Sequence, residues 1–177
     1  MGRWLMFKFS AKRIALLSML TAMASVTFMI EGLFPPLFLP GAKMGLSNIF
    51  SVLAVVLLSP LDGIILVAVR TTLGSLLVGN LSSWVYSFVA GVVSVSVTGF
   101  LYWLLDNKVS LVAISVVGAV VHNITQNTIF CLFTSTPELF AYLPYLAVLG
   151  VVAGVIVGFA VVLLLKSVPF DRFIDAN

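Results

Sequence analysis

Four hydrogen-bonding side chains, His122, Asn123, Gln126 and Asn127, fall within the segment VVHNITQNTIF, whose surroundings are otherwise apolar. An imidazole can carry a proton or hold a metal, and carboxamides offer directional donors and acceptors. At about 100° per residue the four occupy an arc of about 140° on a helix, joined by Ser115, Gly118 and Ala119. Val116, Val117, Val120, Val121 and Ile124 take the opposite side. One face is expected to meet lipid and the other something polar. Two readings stand: amides gluing helices together, each bond contributing about 0.6 kcal/mol on average, or a ligand cavity, which four polar residues in one short segment favour.

Arg70 is the second such feature, since it lies near the middle of an apolar run. A central arginine costs about 2.5–3.5 kcal/mol on insertion scales unless a partner or water meets it. No acid lies a turn away on its own helix, so either Glu31 or a bound anion is its expected partner. The stretch PGAKMGLSN, Pro40 to Asn48, is the third: two glycines bracket Lys43 where a helix is expected to begin. Free backbone N–H groups and a positive dipole end favour an anion there, although a lysine snorkelling to the interface gives the same pattern. The spacing is not that of a phosphate-binding P-loop. Together Lys43, Asn48, Arg70, His122, Asn123, Gln126, Asn127 and Glu31 describe a substrate-binding pocket for a small polar molecule, anionic or zwitterionic.

Catalytic chemistry finds little support. His122 is the sole histidine and Cys131 the sole cysteine, so no zinc or haem ligand set and no intrachain disulfide is available. No nucleophile has a base at a readable spacing. The aspartates Asp62, Asp106, Asp171 and Asp175 are scattered at expected membrane edges and form no magnesium-binding D-D-x-x-D motif. Redox cofactor fingerprints are absent from the sequence, and no basic patch suggests nucleic acid. The expectation is a non-enzyme without metal or cofactor.

The elements that must position these residues follow from composition. The 177 residues are 62% hydrophobic and 8% charged, with a mean hydropathy of +1.24, far from a soluble domain. An integral, all-α membrane protein is expected, with one domain over residues 1–177. Spans of about 20 apolar residues are read at about 12–31, 43–59, 61–78, 83–105, 110–133 and 142–166. The basic N-terminus followed by Ile14 to Ile30 resembles a secretory signal, but the run continues into EGLFPPLFLP without a cleavage site and reads as a retained span. A cytoplasmic N-terminus puts Arg3, Lys8, Lys12, Arg13, Lys108, Lys166 and Arg172 on that side, making both termini cytoplasmic. The connection Gly32 to Ala42 carries three prolines and reads as a lid over a cavity or as an interfacial segment. Trp84, Tyr86 and Trp103 read as interface anchors.

Helix 1 bears Ala11, Ala15, Ser18, Ala22 and Ser25 within an arc of about 80°, a small-residue stripe that admits another helix. Gly150, Gly154 and Gly158 form a similar line on helix 6, assigned to internal packing.

The six short spans, the A-x-x-x-A-like stripe, the long first outer loop and the polar pocket resemble the S-components of energy-coupling factor transporters. More narrowly, PGAKMGLSNI, the run RTTLGSLLVG from Arg70 to Gly79, and HNITQN are similar to the Gx transporter family, often labelled heptaprenyl diphosphate synthase component I. The resemblance covers nearly the whole chain. It implies a multi-pass subunit of the cell membrane that binds a vitamin-like compound or precursor from outside. Ala11, Ala15, Ser18 and Ala22 would then dock onto a transmembrane scaffold subunit driven by a pair of ATPases. Ser18 departs from an all-alanine pattern but remains small. The family label implies an alternative, a non-catalytic membrane partner of a prenyl diphosphate synthase; a membrane redox system is a further one.

Overall fold

A computed structural model describes residues 10–33, 45–79, 81–105 and 108–170. Among them the chain is helical without strands: α1 (Ala11–Leu33), α2 (Asn48–Leu57), α3 (Pro60–Val78), α4 (Leu81–Leu105), α5 (Leu111–Thr134), a 3-10 turn (Pro137–Tyr142) and α6 (Leu143–Ser167). Five are long and apolar enough to cross a membrane, and α2 is not. The sixth span expected over 43–59 is therefore not confirmed among the described residues. The described helix has 10 residues, about 15 Å at 1.5 Å per residue, or half a hydrocarbon layer; residues 43 and 44 lie outside the described residues.

Local chemistry sets the helix ends. Ser59 caps α3, its Oγ accepting from Asp62 N at 3.2 Å with Pro60 in the first turn, where a missing N–H costs nothing. Gly79 closes α3 with φ of 72°, a conformation glycine adopts without strain. Ser110 caps α5 in the same manner as Ser59, accepting from Ala113 N.

Helices α1 and α3 run parallel. Arg13 pairs with Asp62 near their starts, Phe28 covers Gly74 farther along, and Gly32 faces Val78 near their ends. Helix α4 returns antiparallel to α3, with Gly91 against Val67 and Gly99 against Pro60. Helices α5 and α6 are also antiparallel: Gly150, Gly154 and Gly158 lie against the backbone of Val120, Val116 and Val112. A β-carbon on Gly158 would stand 2.6 Å from Val112 Cα, so the three glycines let α6 approach along about two turns. The line serves internal packing, as its spacing suggests. It also corrects the expectation that Val116 and Val120 face lipid, because α6 covers both.

The polarity of the bundle is inverted relative to a soluble protein. Ile14, Met23, Phe100, Leu132, Phe159 and Leu163 are exposed, whereas Ser, Thr, Asn, Gln, His and Arg side chains are buried. That arrangement suits lipid outside. Several hydroxyls bond to carbonyls one turn back, among them Thr21 to Leu17 and Thr71 to Val67, so they need no water. Trp84 and Trp103 are exposed, in keeping with interface anchoring, but Tyr86 is buried and packs edge-on against Phe130 at 5.4 Å. Its expected anchoring role is corrected: Tyr86 belongs to the interior.

Candidate functional site

Helix α2 divides the interior. Along its length Val52, Leu53 and Ala54 join Leu16, Leu20 and Ala24 of α1, Leu66 of α3 and Val157 and Val161 of α6 in one apolar core. Its first residue, Asn48, accepts a 2.6 Å hydrogen bond from Arg70 Nη2. Arg70 is the eleventh of the 19 residues of α3, so α2 begins at mid-depth. Beyond that point, the positions that α5 turns inward change from Ser115 and Gly118 to His122, Gln126 and Asn127, all buried. The imidazole- and amide-bearing part of α5 is thus the part beyond the start of the described α2.

Arg70 is 1% exposed, and its Nε and Nη1 have no hydrogen-bond partner. Of the two partners expected for Arg70, Glu31 forms no ion pair with it. Glu31 Oε1 accepts instead from Leu46 N at 2.6 Å, while Oε2 is buried without a partner. The anion at the start of helix 2 is thus the chain's own carboxylate. Two further N–H groups there are also used, Asn48 N bonding to Gly45 O and Ile49 N to Leu46 O. Both interior charges therefore grip the same stretch, Leu46 to Asn48, from α1 and from α3. Lys43 and the rest of the first long connection, residues 34–44, lie outside the described residues.

A cavity borders this junction. It is lined by Asn48 and Val52 of α2, Ser94 and Thr98 of α4, and Ser115, Gly118, Ala119 and Asn123 of α5, with Ala153 and Val157 of α6 closing it. Its room for the centre of a water molecule is about 20 Å³, enough for about one or two waters and far below the ~300–1,000 Å³ of a ligand pocket. Asn48 thus touches both the Arg70 junction and the cavity. Of the amides on α5, Asn123 lines the cavity and donates to Leu146 O at 3.1 Å, and Asn127 donates to Leu139 O at 3.1 Å. Asn123 thus ties α5 to the first turn of α6, and Asn127 ties it to the 3-10 turn that leads into α6. His122 and Gln126 are buried on the same helix but do not line this cavity.

Sequence reasoning missed the contribution of α4. Ser83, Ser87, Ala90, Gly91, Ser94 and Thr98 form a buried row of small and hydroxyl-bearing residues, whose i, i+4, i+7, i+11 spacing was available as a signal. Gly91 faces the Arg70 guanidinium, and a β-carbon there would stand 3.8 Å from Nη2. The hydroxyls of Ser51, Ser87 and Ser115 are buried without partners, which an interior water or ligand would satisfy. Also missed was the second charged junction, Arg13 with Asp62, where Ser59 Oγ donates to Asp62 Oδ2 at 2.6 Å.

These features define a multi-pass α-helical membrane protein with a charged, hydroxyl-rich interior. The chain belongs to the family described as heptaprenyl diphosphate synthase component I, which matches residues 20–164. No curated protein matches the chain.

The family name speaks of a synthase component, yet among the described residues no group of three or more metal-ligating side chains could hold an ion. What the described interior offers is hydrogen-bonding capacity around one buried cation.

Proposed function

We propose that the protein is a membrane-embedded substrate-binding subunit for uptake of a small polar compound, anionic or zwitterionic and of vitamin-like or precursor type. Arg70 carries this reading. A guanidinium at mid-membrane depth with two unpartnered nitrogens is stable only where the energetic gain of a ligand or water offsets its burial. Arg70 would receive the charged end, Asn48 and Asn123 would orient the neutral part, and His122, Gln126, Asn127 and Lys43 would complete the surround. Admission of anything larger than water requires the first turn of α2 to move away from Asn123, since the space between them is small.

Energy would come from a separate pair of ATPases through a transmembrane scaffold in the cell membrane, with both termini of this chain cytoplasmic. Ala11, Ala15, Ser18 and Ala22 support this reading because all four are exposed on α1, as a docking surface must be. Ser25, the fifth member of the stripe, is buried. The chain itself would not be an enzyme.

A second reading rests on the family name: a non-catalytic membrane partner of a prenyl diphosphate synthase. Gentle solubilisation of the tagged protein from its native host, followed by identification of co-purifying proteins, separates the two. Recovery of an ATPase pair with a scaffold supports uptake. Recovery of a prenyl synthase without ATPases overturns it.

A further inference from the structure

Two opposite charges enclosed in one interior, each with an unpartnered atom, restrict what the site will hold. Arg70 has Nε and Nη1 open, and Glu31 has Oε2 open. Their remaining polar atoms are engaged on the two ends of a three-residue stretch, Arg70 on Asn48 and Glu31 on Leu46. No ion pair joins them, and the Arg13–Asp62 pair at the far ends of α1 and α3 is complete in itself.

We infer that the ligand of this site is a zwitterion, its oxyanion held by Arg70 Nε and Nη1 and its ammonium group by Glu31 Oε2. The inference rests on the uptake reading and names its substrate class. Charge balance is the physical reason. Among the described residues Arg70 and Glu31 are the charges of this site and sum to zero, and a ligand carrying one charge of each sign keeps that sum at zero while giving the three orphaned atoms partners. A simple anion answers Arg70 alone. It adds a net charge to a low-dielectric interior and faces Glu31 with a like charge. A simple cation has the converse fault. A neutral polyol leaves both charges without an ionic partner. The two charges grip different residues of one stretch, so the ligand's own charges must be separated along its length, as in an ω-amino acid.

The test uses the full chain purified in detergent and the series glycine, β-alanine, γ-aminobutyrate and 6-aminohexanoate, with butyrate and butylammonium as singly charged controls. Thermal unfolding is followed with each compound at millimolar concentration. At least one zwitterion is expected to raise Tm by several degrees, and by more than either control. Arg70→Met should abolish that gain. Glu31→Gln should reverse the order, so that butyrate stabilises more than the zwitterion. Should Glu31→Gln fail to fold, Glu31→Asp retains the charge and withdraws it by one methylene, and the preferred chain length should increase. Equal stabilisation by butyrate in wild type, unchanged by Glu31→Gln, overturns the inference and leaves a plain anion site, with the uptake reading intact. Absence of a shift from every zwitterion overturns it too, and the uptake reading then stands or falls on co-purification, which is independent of ligand charge.

Discussion

Arg70 and Asn48 are joined by a 2.6 Å hydrogen bond that fixes the first residue of a half-length helix to the midpoint of a spanning one. The bond fixes where the described part of α2 begins against α3. It also gives the buried guanidinium its one hydrogen bond among the described residues.

Removing that bond should therefore be felt in stability. Asn48→Ala is expected to lower the unfolding free energy by about 1.5–3 kcal/mol, the range for a hydrogen bond to a charged group. Denaturant or thermal unfolding in detergent reads it. Asn48→Asp should act in the opposite direction by placing a carboxylate on Arg70, and should weaken ligand binding for the same reason.

The Arg13–Asp62 junction holds the starts of α1 and α3 together, with Ser59 as a third member. Breaking a fully buried pair costs about 3–5 kcal/mol. Arg13 is 20% exposed, so Asp62→Asn should cost less, about 2 kcal/mol. The paired change Arg13→Met with Asp62→Leu should recover most of that loss, because no charge is then left alone. A double-mutant comparison of unfolding midpoints decides the point.

Contact between α5 and α6 depends on missing β-carbons. Gly154→Ala is expected to destabilise by about 1–3 kcal/mol, as overpacking does, and Gly154→Leu by more, since Val116 Cα and Ser115 O stand where the new side chain would go. Exposed Gly79, with open space around its β position, should show only the milder strain of a left-handed residue.

Ser115 lines the cavity with an unpartnered hydroxyl. Ser115→Ala should raise the stability of the ligand-free chain by about 1 kcal/mol, through removal of a buried group that lacks a partner. A fall in stability would show that the hydroxyl is satisfied by interior water.

Ala15 and Ser18 are exposed on α1. Ala15→Trp or Ser18→Trp should leave thermal unfolding within about 0.5 kcal/mol of wild type. If the stripe is a docking surface, either change should abolish co-purification of the ATPase module. Retained co-purification would remove α1 from the interface.

Composition alone made this chain a membrane protein, because an exterior of Ile, Leu, Val and Phe is stable only in lipid. Hydropathy located the five full-length spans, and the 3.6-residue period set Ser115, Gly118, His122, Gln126 and Asn127 on one inward arc of α5. Glycine spacing on α6 revealed a close helix contact, since a missing side chain is a local property. None of this required knowing which helices are neighbours.

Pairing across helices was decided only by the tertiary structure. That α2 stops at mid-depth, that Arg70 meets Asn48 and not Glu31, and that Glu31 turns to Leu46 N all depend on how far each helix is displaced along its neighbour. Hydropathy is blind to that displacement, because sliding one apolar helix along another by a turn changes no composition and no period. It changes which buried polar atoms meet, and in a membrane interior those few meetings determine which atoms of Arg70 and Glu31 are left without a hydrogen-bond partner.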